Sequence, residues 1–254
     1  MKTKIILLFF WVLLSNSCNI QTKKNFENLQ QDIFDKFLSA QNNLESLQTN
    51  DIQRKEFNEK FETQLAHLID SIGIFVNWKG EIKDIKTNEV GDFTQITFSI
   101  NYKPEQYREV SFFCTYNIKT EKKDSDSLYN KLKGISDYST VYFDGFIKRK
   151  NDDKISYDYG EMHTTYPNYQ FNILDIGLTS RKDNLSTPLK NAITIDFKII
   201  NLMKQNYLKK ISDREYKENT KMLNFDQAQA KLTAAEKVYS QRIRQYLVDD
   251  FMNE

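Results

Sequence analysis

Between Phe75 and Gly177 the chain leaves helical spacing and alternates apolar with polar residues, and that stretch limits the folds open to it more than any other feature. Thr94, Ile96, Phe98, Ile100 and Tyr102 fall on one side of an extended segment, and Val110, Phe112, Cys114, Tyr116 and Ile118 on one side of the next. Successive side chains of a strand point to opposite faces, so a slip of one residue would turn either set out to solvent. Both segments therefore read as strands with one buried face. Further strands are predicted at 74–85, 140–148 and 169–176, with Ile155, Tyr157 and Tyr159 alternating after the turn Asn151-Asp152-Asp153. A short helix is expected near Leu128 to Leu132, ended by Gly134. Three strands, a helix and further strands predict a small antiparallel β-barrel over residues 74–178.

Helical spacing governs both flanks. Phe26, Leu29, Ile33, Phe37, Ala40, Leu44 and Leu47 recur every three or four residues, the stripe of an amphipathic helix. Thr49-Asn50-Asp51 interrupts it, and Asn50 with Gln53 reads as a capping pair for a second helix. That helix carries Phe57, Phe61, Leu65, Leu68 and Ile72 and stops at Gly73, so residues 26–73 are expected to form a helical hairpin. Such a stripe packs internally, against the following domain, or against another protein, and the first two are the ordinary outcomes. Residues 179–254 read as mainly helical after a loop ended by Pro188. Ser212 with Glu215 and Asp226 with Gln229 mark two helix starts, and Leu232, Ala235, Val238, Tyr239, Ile243, Tyr246, Leu247 and Phe251 form the stripe of a last helix. The alternation of Ile193, Ile195, Phe197 and Ile199 leaves a final strand open as well. The fold class is α+β: an N-terminal helical hairpin, a barrel and C-terminal helices.

Trp78-Lys79-Gly80-Glu81-Ile82 opens the first strand, Asp144-Gly145-Phe146 lies in the fourth, and the short helix sits between the third and fourth. This order resembles an OB-fold, and the OB-like domains of some bacterial lipoproteins. The resemblance implies a binding module for single-stranded nucleic acid, oligosaccharide or protein. Nucleic-acid binding on such a barrel uses aromatics on the outward face of the second and third strands. Here that face offers Gln95, Thr97, Ser99, Phe113, Thr115 and Asn117, with one aromatic. Residues 73–178 hold 14 basic against 16 acidic side chains, whereas phosphate recognition calls for a basic face. Nucleic acid is not the expected partner. Tyr142, Tyr157, Tyr159, Tyr166 and Tyr169 are a potential sugar-binding surface, although strand propensity accounts for most of them.

At the N-terminus, Lys2 and Lys4 precede the apolar run Ile5 to Leu14, which Ser15-Asn16-Ser17-Cys18 closes. A membrane-spanning helix needs about 20 apolar residues, so this run reads as a signal peptide. The small Ser17 directly before Cys18 resembles the lipobox of bacterial lipoproteins, with Asn16 and the early position of Leu14 as departures. The resemblance implies that residues 1–17 are removed and that Cys18 is acylated, which makes membrane lipid a partner and places the chain at the periplasmic or outer face of a cell membrane. Residues 18–25 then form the lipidated cysteine and a tether, whose seven residues after Cys18 reach at most about 25 Å. With Cys18 acylated, Cys114 has no intramolecular disulfide partner. Its place in the strand pattern reads as a small core hydrophobe, with a catalytic thiol as the sharper alternative.

Few residues point to chemistry. His67, beside the hairpin stripe, and His163 lack metal-ligand spacing to another His or Cys, and Glu161-Met162-His163 is the nearest thing to a ligand pair. Phosphate-binding glycine loops, dinucleotide fingerprints, nucleophile elbows and zinc-protease helices are absent from the sequence. Asp124-Ser125-Asp126 lacks the glycine and distal Glu of a calcium loop and reads as a turn with a helix cap. Residues 179–254 hold 14 basic against 10 acidic side chains, and Lys231, Lys237, Arg242 and Arg244 of the last helix face either anionic lipid or, more commonly, water. No cofactor, metal or catalytic residue is expected. The leading functional expectation is a non-enzymatic, membrane-anchored envelope lipoprotein that binds a protein partner or serves an assembly. The alternative is a small-ligand or saccharide-binding module using the barrel face and loops.

Overall fold

The computed structural model describes residues 29–103, 109–151, 154–155, 168–181 and 185–252. The signal segment, Cys18 and its tether, Phe26, Asp152, Asp153, Tyr157, Tyr159, Tyr166 and the Glu161-Met162-His163 group lie outside the described residues. Among the described residues no helix is long and apolar enough to cross a membrane.

The hairpin consists of α1 (Leu29–Glu45) and α2 (Asp51–Ile72). Asn50 caps α2 by accepting from the Gln53 backbone N–H at 3.0 Å, while Gln53 Oε1 accepts from the Thr49 backbone N–H at 3.0 Å, one residue earlier than in a regular capping box. Gly73 closes α2 at φ 66°, where a side chain would be strained, and its N–H reaches the Ile69 carbonyl.

The barrel strands are β1 (Phe75–Val90), β2 (Phe93–Tyr102), β3 (Val110–Lys119), β4 (Thr140–Ile147) and, after a small ribbon of β5 (Arg149–Asn151) and β6 (Lys154–Ile155), β7 (Asn168–Gly177). They close in the order β1-β2-β3-β7-β4, with α3 (Ser127–Lys133) between the third and fourth barrel strands. The expected antiparallel barrel needs one correction: four junctions are antiparallel, but β3 and β7 pair in parallel. Two strands that are not consecutive in the chain meet there, and alternation within each strand carries no information about that direction. The long β1 serves two neighbours, β4 along its first half and β2 along its second, and register shifts at Phe75/Trp78 and Lys83/Lys86 bend it between them. Asn77 and Asp84 take positive φ at those two bends.

Aromatic rings fill the barrel. Trp78, Phe112, Phe143, Tyr169 and Phe171 are buried, and Phe34 of α1 closes one end, its ring 5.8 Å from Phe75 and 5.5 Å from Trp78. Hairpin and barrel thus share one core. A second core lies on the outside of the barrel, where Ile74, Phe146 and Leu174 meet the C-terminal helices α4 (Thr187–Tyr207) and α7 (Ala234–Met252) and Leu232 just before α7; α5 (Asp213–Met222) and α6 (Phe225–Ala230) lie between α4 and α7 in the chain.

The C-terminal region is helical, as expected, and the structure closes one open alternative and corrects details of the helix starts and the last stripe. The Ile193 to Ile199 alternation is helical: Ser186 caps α4 by accepting from Leu189 N–H, Pro188 sits in its first turn rather than ending a loop, and Leu189, Ala192, Ile193 and Asp196 are buried at helical spacing. Asp226 does not start α6, which follows Asn224 in the left-handed region without a side-chain cap, and Gln229 instead donates to Ser240 Oγ at 3.0 Å. The stripe of the last helix is only partly buried: Tyr239 and Ile243 are covered, whereas Val238 is exposed. Ser212 and Glu215 form the expected capping box, and Thr233 with Glu236 forms a second one in front of α7.

Candidate functional site

The hairpin presents an apolar face that nothing in the described structure covers. Docking of α1 is fixed by residues the periodicity did not single out. Gln30 Oε1 accepts from Val76 N–H at 3.2 Å and from Trp78 Nε1–H at 3.3 Å, and its amide nitrogen donates to the Ile74 carbonyl at 3.1 Å. Tyr102 Oη donates to Asp35. Phe34, Leu38 and Gln41 are the buried positions, and Phe37 stacks on Phe61 of α2 at 5.7 Å. One residue of offset turns a helix by about 100°, so the predicted stripe is carried sideways. Leu29, Ile33 and Leu44 are 51, 44 and 47% exposed, Ala40 is exposed, and Leu47 and Ile52 flank the hairpin turn at 69 and 74%. The row from Leu29 to Leu44 is about 22 Å long. Scattered apolar residues on a surface are ordinary, but a row at helical spacing along one helix is a contiguous face.

A polar cluster fastens the C-terminal helices to the barrel. Asp144, 1% exposed, accepts from Asn77 N–H at 2.7 Å, from Tyr239 Oη at 2.9 Å and from Arg181 Nη2. Burial raises its carboxyl above the ordinary range, and the Arg181 guanidinium is the main opposing influence. Burial and then the Asp144 charge push the Tyr239 phenol well above its usual value. Asn77, at φ 56°, accepts from Arg181 N–H at 3.0 Å and donates to Ser180 Oγ at 2.8 Å. A cleft of about 340 Å³ opens here, which Lys131 and Asp175 also line. The Asp144 oxygens are taken up by three donors, so the cluster acts as an anchor between elements. Asp196 repeats the device between α4 and α7, accepting from Ser240 Oγ at 2.6 Å and Arg244 Nη1 at 3.0 Å.

The outward face of β2 and β3 is polar, with Gln95 donating to Asn117 at 3.1 Å. Helix α7 packs against β7, and between it and the neighbouring β3 a cleft of about 600 Å³ is lined by Phe113, Thr115 and Asn117 with Gln241 and Gln245. Arg242 stands 5.6 Å from the Tyr116 ring centre and pairs with Asp126 at 3.3 Å. Two of the four basic residues of the C-terminal region singled out from the sequence, Arg242 and Arg244, are therefore engaged within the fold. Asp126 caps α3, accepting from Tyr129 N–H at 2.8 Å, which is the turn-and-cap arrangement expected of Asp124-Ser125-Asp126. Of the five tyrosines, Tyr169 is in the core and Tyr142 is half-buried; the other three lie outside the described residues.

No family model and no curated protein matches this chain. The residues themselves carry the functional argument. Cys114 is fully buried, with a free thiol whose pKa burial raises far above the ordinary range, the environment of an inert core cysteine. Among the described residues no cluster of His, Cys, Asp and Glu has metal-binding geometry. Sequence reasoning missed the docking role of Gln30 and, separately, the cluster in which Asp144, Arg181 and Tyr239 meet from distant parts of the chain; the polar Asp144 inside an apolar strand was the one available signal.

Proposed function

We propose that the protein is a non-enzymatic envelope lipoprotein, held at a membrane through an acylated Cys18, whose N-terminal hairpin receives an amphipathic helix of another envelope protein. The observation that carries this reading is the exposed row of Leu29, Ile33, Ala40 and Leu44 on a helix whose other side is locked to the barrel. Its spacing suits the ridges and grooves of a partner helix, and burying two or three further Leu or Ile side chains contributes about 1.5–3 kcal/mol each when fully covered. The anchor rests on the cysteine and the apolar run before it; the short tether then keeps the hairpin close to the lipid surface.

Purification of the full chain under mild detergent, wild type against an Ile33→Asp/Leu44→Asp variant, tests the reading. Wild type retains one protein at fixed stoichiometry and the variant loses it while keeping its circular dichroism. A protein retained equally by both rules out this face. Cys18→Ala, with mass spectrometry of Cys18 in the wild type, tests the anchor separately.

A further inference from the structure

A groove of about 920 Å³ runs between the end of α2, the starts of β1 and β5, and helices α4 and α7. Its floor is apolar, formed by Ile72, Ile74, Phe146, Ile193, Phe197 and Leu247. Its rim is basic. Lys190, Lys198 and Lys204 lie along one side of α4, over about 21 Å of helix. The two carboxylates in the lining are already engaged: Asp70 pairs with Arg149 at 3.6 Å and Asp250 with Lys148 at 3.1 Å. Lys190 and Lys198 are exposed and make no ion pair among the described residues. The groove therefore carries net positive charge over an apolar floor, within the size range of small-molecule sites. An apolar floor rewards an aliphatic chain, and ammonium groups spread along the rim reward an anion at its end.

We infer that this groove binds a single aliphatic chain ending in an anionic group, a carboxylate or a phosphate. Lysine suits both as a mobile point charge that needs no fixed geometry. The site is separate from the exposed row on α1, and it stands whether or not that row receives a partner.

The test uses cells making the full chain, fed a photoactivatable, clickable C16 carboxylate and irradiated. Labelling maps by peptide mass spectrometry to residues 190–204 and 247–251, and excess palmitate removes it. Lys190→Glu/Lys198→Glu lowers labelling at least tenfold with the fold intact by circular dichroism, because both side chains are exposed. Thr194→Trp, an exposed position in the groove, lowers it by filling the floor and so gives a second, independent variant. The matching C16 alcohol labels wild type at least tenfold less and is indifferent to the charge change. Stronger competition by a single-chain lipid phosphate than by palmitate assigns the ligand to a lysophospholipid; the reverse order assigns it to free fatty acid. Labelling spread over the surface, unchanged in the glutamate variant, or equal for acid and alcohol overturns the inference. So does a photo-crosslinker at Thr194 that captures a peptide of another protein, or of residues 1–28, in place of an acyl chain.

Discussion

Removing Arg181 leaves Asp144 buried with its charge partly uncompensated, and the consequence is large enough to measure. Breaking a buried ion pair by deleting one partner costs about 3–5 kcal/mol. Two features of the site reduce that figure. Arg181 is 35% exposed, so water already screens part of its charge, and Asp144 keeps the donors Asn77 N–H and Tyr239 Oη. Arg181→Met is therefore expected to cost about 2–3 kcal/mol, a fall in Tm of roughly 5–10 °C for a chain of this size. The pH dependence sharpens the test. Burial already raises the folded-state pKa of Asp144, and loss of the guanidinium raises it further. A carboxyl whose folded pKa lies above its unfolded value stabilises the fold fully below the unfolded value, about 3.9, and that stability is lost as pH rises through the folded one. The deficit of Arg181→Met is thus largest near pH 7 and shrinks as pH falls towards 4. In the double variant Asp144→Asn/Arg181→Met, which removes the charge as well, most of the loss is recovered and the dependence flattens. Urea unfolding from pH 4.5 to 7.5 reads all three. A cost below 1 kcal/mol at pH 7, or one that grows on acidification, would refute the argument.

Neighbouring residues of α1 should behave in opposite ways: Phe34→Ala loses about 3–5 kcal/mol in urea unfolding, whereas Ile33→Ala, at a 44% exposed position, changes stability by less than about 0.5. A Cβ on Gly145 would overlap severely with the Phe171 ring and the Asn172 carbonyl, while on Gly80 the overlap is smaller, 2.6 Å to the Ile100 Cγ2 methyl and 3.1 Å to the Asn101 carbonyl. Gly145→Ala is accordingly expected to cost about 3 kcal/mol and Gly80→Ala less, in the same assay. If Cys18 is acylated, a thiol reagent at pH 8 should find no reactive cysteine in the native chain and one, Cys114, after denaturation. A second reactive thiol, in either state, would show that Cys18 is not acylated.

The barrel was legible because its strands obey a period of two and bury one face: Phe98, Ile100, Phe112 and Cys114 are all inside. Pairing direction was not legible, since the β3–β7 contact joins segments with the whole of α3 and β4 between them. For α1 the stripe was real but its destination was wrong by one residue. Leu29, Ile33 and Leu44 outweighed Phe34 and Leu38 in the periodicity, yet Gln30 and Phe34 answer to the Trp78 end of the barrel. The same effect hid α4, where β-branched residues at alternate positions imitate a strand until Ser186 and Pro188 are recognised as a helix start. Asp144, Arg181 and Tyr239 converge from β4, the loop after β7 and α7, and only the folded chain brings them together.

The exposed row on α1 is the centre of the functional account, and a photoreactive amino acid placed in it tests that account most directly. Installed at Ile33 or Leu44 of the full chain in cells, it should yield one discrete cross-linked species mapping to the apolar side of a helix in an exported protein. Installed at Glu59, an exposed position on α2, it should yield none. A smear of products, no product, or the same product from Glu59 would contradict the assignment of this face to a partner.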